Sequence, residues 1–168
     1  MAEAQPKFDP LGMLAALDRH RVAYIVIGAF GRVVHGAEEL TRGVDIVPAP
    51  KSENLRRLDA ALAELGARDL DGQQPSFNAD AVPTGEVTEL ETNRGELKIV
   101  PEPTGTRGYD DLRRAASRQP LGKGIRPSVA SIDDHARLLA ARGQDQDQGK
   151  LRALRRLAEL DRGVSLER

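Results

Sequence analysis

The chain has no cysteine among its 168 residues, which excludes disulfides and thiolate metal sites. It has almost no net charge: 25 Lys and Arg stand against 26 Asp and Glu. No global field therefore favours nucleic acid or an acidic membrane. No apolar run reaches the length of about 18 residues that a membrane span requires. The stretch Met1-Ala-Glu-Ala-Gln-Pro-Lys7 lacks the charged-then-apolar pattern of a signal peptide. These absences lead to the expectation of a soluble, cytoplasmic protein. Aromatic residues amount to 3% and arginine far outnumbers lysine, which reflects a GC-rich genome more than a function. The length suits a single domain, 1–168, with a core over about 10–130 and a C-terminal helical part over about 131–162.

Helical and strand patterns alternate along the chain. Asp9 caps a helix that starts at Pro10, with Leu11, Leu14 and Leu17 on one face. Tyr24–Ile27 is a short β-branched run read as a buried strand, ended by Gly28. Val44–Val47 is a second such run, stopped by Pro48 and Pro50. Leu55, Leu58, Leu62 and Leu65 recur at helical spacing, and Gly66 stands where a C-terminal cap belongs. Residues 67–85 show little periodicity and read as an irregular loop. Glu86–Glu91 and Glu96–Val100 flank Asn93-Arg94-Gly95, a hairpin signal. Tyr109–Ser117 reads as helix and Ile125–Val129 as a last strand, with Pro127 suiting an edge. Ser131 and Asp134 cap a helix running to about Arg142. A polar turn, Gly143–Gly149, precedes a final helix carrying Leu151, Leu154, Leu157 and Leu160.

The segment Ile25-Val-Ile-Gly28-Ala-Phe-Gly31 reads as strand, glycine turn and helix. Thr41-Arg42-Gly43-Val-Asp45-Ile-Val then opens the next strand. Together they resemble the opening of the nucleotidyltransferase superfamily, in particular the small bacterial group related to abortive-infection toxins of the AbiEii type. Further stretches carry the resemblance along the chain: Gly95-Glu-Leu-Lys98-Ile-Val, Thr104-Gly105 with Tyr109-Asp-Asp-Leu112, Val129-Ala-Ser131-Ile-Asp-Asp134, and Gly143-Gln-Asp-Gln-Asp147. The resemblance implies an α/β (α+β) fold, a mixed sheet flanked by helices and followed by C-terminal helices. The strands near 24–28, 44–47, 96–100 and 86–91 are then neighbours.

The family chemistry uses two magnesium ions to neutralise a triphosphate and activate the attacking hydroxyl, held by hard oxygen ligands. Carboxylates two apart on a strand point the same way, and a third comes from a neighbouring strand. A glycine turn and the following helix let backbone N–H groups approach the phosphates. By motif alignment the three carboxylate positions are Gly43, Asp45 and Lys98 here, so only Asp45 survives. A Lys ammonium about 4 Å from a dication is repelled by roughly 8 kcal/mol at an effective dielectric near 20, before solvent relaxation. The family's Lys in the first C-terminal helix aligns with Leu139. The Arg and Lys of the following turn align with Gln144 and Gln146.

The resemblance thus assigns Asp45 as the one retained catalytic position. It assigns Gly28, Ala29, Thr41, Arg42, Gly43 and Lys98 as ligand-binding positions, with no metal ligand set. Three readings stay open. In the leading one, the protein is catalytically inactive, needs no cofactor, and binds a small phosphate- or carboxylate-bearing ligand, or a protein partner, through the former cleft. In the second, it is an active enzyme using Mg²⁺ and a nucleoside triphosphate, with a relocated carboxylate such as Glu86, Glu89 or Glu91. In the third, it is a toxin–antitoxin-like interaction module. Gly31, His35 and Gly36 read as packing and cap residues. Asp145 and Asp147 lack the spacing of a calcium loop. The sequence also leads to the expectation that Asp45 and Lys98 lie on the same face of adjacent strands, close enough for a charge-assisted hydrogen bond or a single water between them.

Overall fold

The structure, a computed structural model, describes residues 7–77 and 86–166. Six strands form one mixed sheet in the order β3-β4-β2-β1-β6-β5. β1 (Tyr24–Ile27) pairs antiparallel with β2 (Gly43–Pro48) and parallel with β6 (Ser128–Val129). β2 runs parallel to β4 (Gly95–Ile99), which forms a hairpin with β3 (Thr88–Thr92). The short β5 (Ser117–Arg118) closes the far edge. The four strands expected from the sequence are thus neighbours in one sheet.

α1 (Pro10–Arg19) starts where expected. The Asp9 carboxylate accepts the Gly12 N–H at 3.0 Å and also meets Arg94 of the hairpin turn at 2.9 Å. Its buried face is Met13, Leu14, Ala16 and Leu17, while Leu11 is only partly covered. α3 (Ser52–Glu64) buries Leu55, Leu58 and Leu62 and ends on left-handed Gly66 (φ +63°). Both helices pack on one face of the sheet, against Val26, Val44, Ile46, Leu90, Leu97 and Ile99. Each fully buried leucine there contributes about 1.5–3 kcal/mol relative to exposure.

The other face is only partly covered. Ile25, Ile27 and Val47 are packed by Leu112 of α4 (Tyr109–Leu112) and by Leu138 of α5 (Ile132–Arg142). α2 (Gly28–Val34) follows β1 directly. α5 is capped by Ser131, whose hydroxyl accepts the Asp134 N–H at 3.0 Å, and ends on left-handed Gly143 (φ +63°). A 3₁₀ turn (Asp145–Asp147) leads into α6 (Gln148–Leu166). Leu139, Leu151 and Leu154 form the core between α5 and α6, whereas Leu160 is exposed.

Several expectations need correction. The helix read over Tyr109–Ser117 ends at Leu112, because Ser117 and Arg118 pair with β6 as a strand. Edge pairing here overrides the helix propensity of Ala115 and Ala116. The strand read over Ile125–Val129 is reduced to Ser128–Val129. Pro127 has no N–H to give to the ladder, and its carbonyl accepts from Gln119 at 3.0 Å. The irregular region is not wholly without structure, since Arg68 bridges Glu91 beside β3. The remainder of that loop, 78–85, lies outside the described residues.

Candidate functional site

Strand alternation sorts β3, β4 and β2 into two faces. Leu90, Leu97, Val44 and Ile46 point into the core under α1 and α3. Glu89 and Glu91, Glu96 and Lys98, and Gly43 and Asp45 lie on the opposite face. The register makes two rows across the strands. Glu89, Lys98 and Asp45 form one, which ends at Ile27 beside Gly28; Glu91, Glu96 and Gly43 form the next. Lys98 and all three glutamates are exposed. The family positions therefore share one open stretch of sheet.

Gly28 turns the chain from β1 into α2 with φ +75°. Glycine is needed twice here: for that dihedral, and because a Cβ would lie 2.9 Å from Cγ of Asp45. The Asp45 carboxylate is folded down against the turn. It makes no hydrogen bond or ion pair among the described residues, and burial raises its pKa above the ordinary value of 3.8. The charges of Lys98, Arg32 and Arg142 oppose that rise. Ala29 lies in the first turn of α2, a helix of seven residues.

Gly43 has no room for a side chain. A Cβ there would lie 2.7 Å from Cβ of Glu96 and would overlap the Glu96 carbonyl oxygen. Thr41 turns its hydroxyl to the backbone, donating to the Gly43 carbonyl at 2.8 Å. Arg42 is exposed. Lys98 is the register partner of Asp45, but its ammonium pairs with Glu89 at 3.6 Å. Asp45 and Lys98 thus share a face of adjacent strands as expected, but no direct ion pair joins them among the described residues. Asp45 is sunk against Gly28, while Lys98 and Glu89 are both about half exposed and meet at the open side (46% and 51%).

The structure adds a network of charged residues of which the motif alignment reached only Asp147. Arg32 of α2 is buried and makes two bonds to Glu39, at 2.7 and 2.9 Å. Lys150 approaches Glu39 at 3.8 Å and Asp147 at 3.9 Å, and Arg142 meets Asp147 at 3.2 Å. Asp147 is fully buried and stands three residues before Lys150, one helical turn away. Arg142 brings a cation near Asp45 from the end of α5. Leu139 is core, and Gln144 and Gln146 hydrogen-bond to each other at 2.6 Å. His35 donates to the Ala130 carbonyl at 2.7 Å, in line with a packing role. His135 packs on Gly31, and burial pushes its imidazole down to about 3. Among the described residues, no three His, Asp or Glu side chains come together in a metal-holding group.

By sequence, the chain matches no family model and no curated protein. By structure it resembles the lincomycin-bound lincosamide antibiotic adenylyltransferase LnuA, with TM-score 0.59 and 16% identity over 88% of this chain and 95% of that one. It also resembles TM1012 of Thermotoga maritima, itself only proposed to be a nucleotidyltransferase (TM-score 0.51, 16% identity, 99% and 100% covered). The antibiotic-resistance factor ANT(2'')-Ia gives TM-score 0.52 at 14% identity, over 94% of this chain and 92% of that one. Identities this low speak to architecture alone, and the architecture is the nucleotidyltransferase fold.

Proposed function

We propose that the protein keeps the nucleotidyltransferase scaffold without two-metal nucleotidyl transfer. It uses the open sheet face beside Asp45 to hold a phosphate- or carboxylate-bearing ligand. The observation that carries this reading is the fit of Gly43 against Glu96. The first carboxylate position is not merely substituted but closed by the approach of β4. At the third position stands a cation, Lys98. A pair of magnesium ions needs several hard oxygen ligands, and the retained set offers Asp45 alone. These residues do not fit the metals that the fold implies, and no step is routed through them. Lys98 instead gives the face a donor for an anionic group, while Arg42, exposed just before β2, has the parity of Val44 and Ile46 rather than of Asp45.

One observation favours the active alternative. Glu89 occupies the same row as Asp45, and its charge is felt there. A metal bound between those two carboxylates would have to displace Lys98 from Glu89. A transfer screen decides between the readings. The protein is incubated with Mg²⁺ or Mn²⁺, labelled nucleoside triphosphates, and RNA or protein acceptors. The proposal expects no label transfer. Metal-dependent transfer abolished by both Asp45→Ala and Glu89→Gln overturns it.

A further inference from the structure

The end of β1 away from Gly28 holds a second feature. Tyr24, the first residue of β1, lines a cavity of about 520 Å³ with Asp18, Arg21, Tyr109, Arg118 and Arg126. The arginines arrive from three places: the turn after α1, the edge strand β5, and the approach to β6. Their guanidinium groups make no ion pair or hydrogen bond among the described residues. The acid in the cavity is Asp18, which accepts the Tyr24 hydroxyl at 3.1 Å.

Arg21 adds an independent observation. Its φ is +57°, in the left-handed region that favours glycine. Its N–H closes the end of α1 onto the Asp18 carbonyl at 3.0 Å. Helix ends of this kind usually carry Gly or Asn. The turn gives no reason for arginine, whereas the cavity does, because it gains a third guanidinium.

We propose that this cavity binds a small ligand carrying two or more linked phosphates, gripped by Arg21, Arg118 and Arg126. Planar guanidinium forks pair bidentately with phosphate oxygens. Three cations against one carboxylate call for a ligand of more than one negative charge. The volume falls within the range of about 300–1,000 Å³ of small-molecule sites. A concave cavity in a chain of net charge −1 fits a compact anion better than an extended nucleic acid. The site is separate from the Asp45 face, since Asp45 pairs with Ile27 at the other end of β1.

The test is calorimetric titration with inorganic pyrophosphate on the full chain and on Arg21→Gly, Arg118→Ala and Arg126→Ala. Saturable binding is expected, weakened about tenfold or more by each variant, as for a lost charge-assisted hydrogen bond. Arg21→Gly should keep or raise the thermal midpoint while it weakens binding, which a purely structural role would not produce. In Lys98→Ala, where the sheet face loses its donor, the site formed by Arg21, Arg118 and Arg126 should still saturate with pyrophosphate. Absence of saturable binding overturns the proposal, as does affinity unchanged in the arginine variants. Loss of binding in Lys98→Ala overturns it by assigning the anion to the sheet face. A single-stranded RNA that outcompetes pyrophosphate overturns it in favour of a nucleic-acid surface.

Discussion

Asp45 remains where it costs stability. Burial raises its folded pKa above the ordinary 3.8, so the folded state takes up this proton more readily than the unfolded chain. Protonation therefore favours folding below the unfolded value, and that contribution is lost as pH rises through the folded value. Asp45→Asn should raise the thermal midpoint at pH 7, and the gain should disappear below about pH 3.8. Scans over a pH series check this. A midpoint lowered by Asp45→Asn at neutral pH would mean that the surrounding cations outweigh burial. At Gly43 the prediction differs in kind. Gly43→Asp should destabilise by about 1–3 kcal/mol, because the new side chain meets the β4 backbone at Glu96. Lys98→Asp, on an exposed position, should fold normally. Chemical denaturation measures both. That a glycine stands at position 43, two residues before Asp45, was legible in the sequence. Its closure by Glu96 was not, since it depends on the distance between two strands.

At the scale of elements, the buried pair of Arg32 in α2 with Glu39 is extended to α6 by Lys150. Arg32 and Glu39 have side-chain exposures of 6% and 13%, and the guanidinium holds the Glu39 carboxyl below its ordinary value. Glu39→Ala leaves Arg32 buried and unpaired, and should cost about 3–5 kcal/mol. Denaturant titration tests that figure; a cost under about 1 kcal/mol would show that Lys150 and water already screen the pair. This network escaped sequence reading because the helix does not continue from Arg32 to Glu39: α2 ends at Val34 and Gly36 turns the chain with φ +111°. The helices α1, α3, α5 and α6 were legible from leucine spacing and from caps at Asp9, Gly66 and Ser131. β5 was not. Its two residues carry no alternation, and pairing with Ser128 and Val129 alone makes them a strand.

Across the whole molecule, the order of strands follows from a few motifs. Gly28 ends β1 at the site and the hairpin at Asn93-Arg94 brings β3 to β4. The parallel pairing of β2 with β4 sets Lys98 opposite Asp45. That shared row was expected from the alignment. The pairing of Lys98 with Glu89 was not, because it depends on which carboxylate is exposed. The fold is shared with an adenylyltransferase at 16% identity, and in the proposed account the donors beside Asp45 differ in charge from what two metals need. The most direct test of that account is a calorimetric titration of Mn²⁺ into the protein with and without a non-hydrolysable nucleoside triphosphate. The account predicts no saturable metal binding at the Asp45 face in either case, and no change in the Asp45→Ala variant. A saturable Mn²⁺ site that strengthens with nucleotide and disappears in Asp45→Ala would contradict it.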